Sequence, residues 1–118
     1  MDFRAVTVGV PVRDLHSATI WYQKVLGVGD PEHHPAEGVV EFSLGVCWLQ
    51  LEESEERAGC HGITVNLEIA DLRGEHGRLE SAGIRLTDIE SVPGVVEYFE
   101  AIDADDNRIG FVRVVDPD

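Results

Sequence analysis

Branched aliphatic residues occupy every second position from Val6 to Val12, with Thr7, Gly9 and Pro11 between them. A period of two with one apolar face predicts a strand whose valines turn toward a core. The spacing then changes. Leu15, Ala18, Trp21, Tyr22, Val25 and Leu26 recur at helical intervals. Asp14 stands where an N-cap carboxylate is wanted, and Gly27 where a left-handed residue ends a helix. On this stripe Trp21 is expected between helix and sheet. Beyond the helix the strand pattern returns. Val39–Leu44 and Val46–Leu51 predict a hairpin turning at Gly45, with a short strand before it near Gly38.

The pattern then repeats. Ile63-Thr64-Val65-Asn66-Leu67-Glu68-Ile69-Ala70-Asp71-Leu72 lies over Val6-Thr7-Val8-Gly9-Val10-Pro11-Val12-Arg13-Asp14-Leu15, half the chain away. Two such segments at that separation point to duplication. In the second copy Asp71 caps, Leu72, Leu79 and Ala82 mark the apolar stripe, and Gly83 ends the helix. Gly74 and Gly77 weaken it, by up to about 1 kcal/mol each relative to Ala. A short strand is expected at Ile84-Arg85-Leu86. A second hairpin, Val95–Ile102 and Arg108–Val115, turns around Asp103-Ala104-Asp105-Asp106-Asn107, a run rich in turn-forming residues. Residues 53–60 read as a solvated acidic linker between a first module, 1–52, and a second, 61–118. The fold class is α+β: two tandem βαβββ modules in one domain, 1–118, with helices on the outer face of antiparallel-rich sheet.

Charge narrows the partners. Nine Lys and Arg stand against 23 Asp and Glu, a formal net of −14 in 118 residues. Such a surface repels phosphate backbones and anionic lipid, so neither nucleic acid nor membrane is an expected partner. No apolar run approaches the roughly 20 residues of a membrane span, and Met1-Asp2-Phe3-Arg4 begins no signal segment, so a cytoplasmic location is expected. Two cysteines, Cys47 and Cys60, are too few for a disulfide framework or a structural zinc site.

The sequence resembles the vicinal oxygen chelate superfamily, which includes glyoxalases, extradiol dioxygenases, fosfomycin-modifying enzymes and bleomycin-binding proteins. The resemblance is carried by Val8-Gly9-Val10-Pro11-Val12-Arg13-Asp14-Leu15 running into Trp21-Tyr22 and Val25-Leu26-Gly27. It extends to Asp103–Asn107 with Arg108-Ile109-Gly110-Phe111, which is similar to the superfamily's Asp-Pro-Asp-Gly-Asn turn. The resemblance implies a cup-shaped sheet around a small-molecule pocket and a homodimer. It does not imply one chemistry.

Strand alternation assigns the inner face. Thr7 and Gly9 of the first strand lie there, Trp48 and Gln50 of the fourth, Thr64, Asn66 and Glu68 of the second module's first strand, and Gly110 of the last. Metal-dependent members of the superfamily place His or Glu at four points, which fall here on Thr7, Gln50, Thr64 and Gly110. These are neutral or lack a side chain, so no metal and no other cofactor is expected. His33-His34 sit in a Pro-bracketed loop, His61 has the wrong parity, and His16 and His76 fall on helices. All five histidines are read as loop or surface residues. Cys60-His61 is not a thiol–imidazole pair merely by adjacency. Cys47 alternates with Leu49 and Leu51 and is expected in the core.

Trp48 with Gln50, Thr7, Thr64 and Asn66 makes an aromatic floor with a few polar groups, suited to a planar organic ligand. Three functions remain open. One is a metal-free small-molecule-binding protein of the glyoxalase/bleomycin-resistance type. Another is a lyase or isomerase using Glu68 as acid or base, or an atypical metal site. The third is a structural or regulatory dimer.

Overall fold

β1 (Thr7–Val12) buries Val10 and Val12 and leaves Thr7 exposed, as the alternation requires. The computed structural model in which this is seen describes residues 2–59 and 65–115. β1 pairs in parallel with β4 (Trp48–Glu53). β4 pairs antiparallel with β3 (Val39–Ser43), and β2 (His33–Ala36) lies at the far edge, giving the order β1-β4-β3-β2. One face of this sheet holds the buried residues Val10, Val12, Val40, Phe42, Leu49 and Leu51.

α1 (Leu15–Leu26) packs on β4. Asp14 caps it: Oδ1 accepts from the Ser17 backbone N–H at 3.2 Å and Oδ2 from the Ser17 hydroxyl at 3.0 Å. These bonds hold the Asp14 carboxyl below the ordinary carboxylate range. Gly27 ends the helix at φ 66°, ψ 34°, in the left-handed conformation its position predicts. The expected burial of Trp21 is corrected. Tyr22 and Val25 are the buried residues of the helix, and Trp21 is half-buried, its ring edge-on to Tyr22 at 4.7 Å. Adjacent helical positions point about 100° apart, so only one of two neighbouring aromatics can face the sheet squarely.

The second copy repeats the plan. β5 (Val65–Glu68) is parallel to β8 (Arg108–Val114), which pairs with β7 (Val96–Ile102), and β6 (Glu90–Val92) lies at the edge. Its order, β5-β8-β7-β6, is that of the first sheet. α2 (Leu72–Ser81) packs on β7 and β8 over Phe99 and Phe111, whose rings lie 5.3 Å apart. Glu97 of β7 accepts from Arg73 of α2 at 2.8 Å and from Arg113 of β8 at 3.1 Å, tying helix to sheet. The Asp103–Asn107 turn folds around the buried Asp103 carboxylate. Its Oδ1 accepts from the backbone N–H of Asp105 at 2.9 Å and of Asn107 at 2.8 Å.

The α+β class and the two βαβββ modules are therefore as expected, and the chain divides into units of residues 1–61 and 62–118. Each sheet is open and mixed, because the first and last strands of each module run parallel. The strand expected near Gly38 is β2 instead, and Gly38 turns the chain into β3 at φ 78°. The one expected at 84–86 is a single bridge, Leu86 to Ala101, with the strand proper at β6. The stretch after β4 is not a purely solvated linker. Ser54 N–H donates to the Val12 carbonyl, Ala58 is buried, and Arg13 donates to the Ala58 carbonyl at 3.1 Å.

Candidate ligand-binding face

Strand register decides which side chains meet. In the first sheet Thr7 stands beside Trp48 and Gly9 beside Gln50, and across the hairpin Ser43 faces Trp48 and Glu41 faces Gln50. Opposed residues share a face, so Thr7, Gly9, Trp48 and Gln50 lie on the side away from the buried Leu49 and Leu51. Four of the sequence-predicted site residues are thus brought together on one surface.

Two further residues complete it. Gln50 Nε2 donates to Glu41 Oε2 at 3.0 Å. His33 Nδ1 lies 3.5 Å from Glu41 Oε1, and the His33 ring stacks on Trp48 with centroids 4.8 Å apart and planes 18° from parallel. His33 is therefore a residue of β2 in contact with the site, not a loop histidine. Neither residue stood out in the sequence. Glu41 was legible in principle: in Val39-Val40-Glu41-Phe42-Ser43 it alternates against Val40 and Phe42 and falls opposite Gln50 across the hairpin. His33 was not, because two residues of four-residue β2 pair with β3 through a shifted register that no alternation rule predicts.

The Gln50 side-chain oxygen lies toward Gly9. A Cβ at Gly9 would lie 3.9 Å from Gln50 Oε1, ordinary van der Waals contact. The amide thus turns its nitrogen to Glu41 and its oxygen toward β1. Cys47 is half-buried in the turn before β4, where its carbonyl accepts from Leu44 N–H at 2.9 Å, rather than in the core.

In the second module Asn66 and Gly110 are register partners, as are Glu68 and Val112. The Asn66 amide lies over Gly110, where a Cβ would overlap its oxygen. Asn66 and Glu68 are both exposed. Thr64 lies outside the described residues, as do Cys60 and His61.

The metal points can now be tested by their donors. Thr7 offers an exposed hydroxyl, the Gln50 amide is engaged with Glu41, and Gly110 has no side chain and is covered by Asn66. These residues do not fit a divalent cation, which wants several anionic or imidazole donors. Among the described residues there is no group of three or more His, Cys, Asp or Glu placed to hold a metal ion.

No protein-family model matches the chain, and no curated protein matches it. Solved structures do. A glyoxalase/bleomycin resistance protein from Catenulispora acidiphila superposes with a TM-score of 0.79 at 26% identity, over 93% of this chain and 97% of that one. The chain has the vicinal oxygen chelate fold. A bleomycin resistance determinant encoded on the transposon Tn5 shares that fold at TM-score 0.77 and 19% identity, over 95% of this chain and 98% of its own. A fosfomycin resistance protein from Listeria monocytogenes shares it at 0.74 and 14%, over 96% and 93%. Identities this low carry the vicinal oxygen chelate architecture across, not the activity. No helix among the described residues is long and apolar enough to cross a membrane.

Proposed function

We propose that this protein binds a small organic molecule on the strand face of its first module, against Trp48. The observation that carries the reading is the setting of that indole. Trp48 is half-buried, the Gln50–Glu41 hydrogen bond lies beside it on the same face, and the ring that stacks on it, His33, is itself solvent-exposed. An aromatic platform with a few convergent polar groups is the usual make-up of a small-molecule site. The fold supports the reading, since one of the proteins that shares it is named a bleomycin resistance determinant. Glu68, the acid or base of the alternative reading, is exposed at the end of β5.

The test is a thermal-shift screen with cationic, neutral and anionic aromatic molecules, followed by tryptophan fluorescence. A planar compound is expected to raise the melting temperature and to change the emission. That change is lost in Trp48→Ala and kept in Trp21→Phe. Absence of any binder across the three charge classes, or a signal that survives Trp48→Ala, would overturn the reading.

A further inference from the structure

The chain supplies its own sample of what the Trp48 face accepts. A flat, nitrogen-bearing ring, the His33 imidazole, lies 4.8 Å from the indole at 18° and turns a nitrogen toward Glu41 Oε1 at 3.5 Å. The Glu41 and Gln50 oxygens on this face are acceptors, beside the Thr7 and Ser43 hydroxyls, which can donate or accept. Glu41 Oε2 already takes the Gln50 amide N–H, Glu41 Oε1 faces the imidazole, and Gln50 Oε1 turns toward Gly9. An ionised carboxylate offers only acceptor capacity. The other carboxylate on this face, Glu52, is taken up by Arg57.

His33 is also weakly held. Its side chain is 57% exposed, against 16% for Glu41. Every residue of β2 is exposed, and the pairing of β2 with β3 shifts register between His33 and Ala36. Edge segments with few buried contacts open at low free-energy cost. Glu41, by contrast, is fixed in the middle of the sheet between β4 and β2.

Building on the binding reading above, we propose that the site selects flat nitrogen cations, of the amidinium or protonated N-heterocycle class, which displace His33 from Trp48 and give an N–H to Glu41. Stacking on the indole adds a cation–π attraction to the charge-assisted hydrogen bond. The formal net charge of −14 draws such cations from solution and disfavours anions.

The probes are benzamidine, benzamide and benzoate, which share a phenyl ring and differ in charge. Binding to the full chain is read by calorimetry and by the NMR shift of the Trp48 indole N–H. Benzamidine is expected to bind at least about tenfold more tightly than either of the others. In Glu41→Gln, which keeps the shape of the side chain, benzamidine is expected to weaken at least about fivefold while benzamide changes little. In His33→Ala, benzamidine is expected to tighten, because the position it needs is vacated. Equal or tighter binding of benzamide or benzoate overturns the cation class while leaving the Trp48 site standing. So does benzamidine binding that is unaffected in a folded Glu41→Gln protein. Failure of all three probes overturns the cation class, and the wider aromatic screen then decides separately whether Trp48 is a binding surface.

Discussion

Gly74 and Asp71 are matched in a way that glycine's helix propensity alone hides. The Asp71 carboxylate accepts from the Gly74 N–H at 3.1 Å and occupies the space a Cβ on residue 74 would need. Gly77, three residues on, has nothing within 4 Å of its own Cβ position. Two glycines in one helix thus have opposite consequences. Gly77→Ala is expected to stabilise by up to about 1 kcal/mol, the helix-propensity difference. Gly74→Ala must displace the capping carboxylate and forfeit a cap contribution of about 1 kcal/mol, so it gains nothing or loses. Urea unfolding of the two variants checks this; equal gains at both positions would refute it.

Glu97 makes acid stability legible. The hydrogen bond from Arg73, then that from Arg113, holds its carboxyl below the ordinary carboxylate value. A folded value depressed below the unfolded one contributes stability that is complete above the unfolded value. That contribution is lost as pH falls through the folded one. Unfolding midpoints compared between about pH 7 and about pH 3 are expected to fall further for the wild type than for Glu97→Gln. A parallel pair of pH profiles would count against the clamp.

Asp106 is the one non-glycine residue at positive φ among the described residues, at 64°. Its ion pair with Arg85, 3.0 Å, is solvent-exposed on both sides and adds little. Asp106→Gly is therefore expected to keep or raise the urea midpoint. Asp106→Val, which tolerates the left-handed region poorly, is expected to lower stability by about 1–2 kcal/mol. Val and Gly variants of equal stability would refute the assignment of strain to this position.

Much of this was readable beforehand, and the reason lies in which rules are local. The caps at Asp14 and Asp71, the C-terminal Gly27 and the two-residue alternation of β1 and β4 each depend on neighbours a few positions away, and all stand where expected. The face shared by Thr7, Gly9, Trp48 and Gln50 followed from parity alone. What escaped depends on tertiary choice. Whether Trp21 or Tyr22 faces the sheet is settled by packing, not by spacing. Where β2 and β6 begin is settled by edge pairing that few residues specify, and with β2 went His33 and its contact to Trp48. Gly74 looked like a weak point because its partner is a side-chain rotamer rather than a pattern.

The parallel pairing of β1 with β4, and of β5 with β8, has a consequence for how the chain comes into being. On a ribosome Thr7–Val12 is made first yet has no ladder partner until Trp48–Glu53 has emerged, and Val65–Glu68 waits likewise for Arg108–Val114. The β3–β4 and β7–β8 hairpins close local loops and can form early, whereas each opening strand must pay a long loop closure before it is rewarded. Until then a valine-rich strand is left without its mate, and only Pro11, which has no N–H to give to a ladder, blunts its edge.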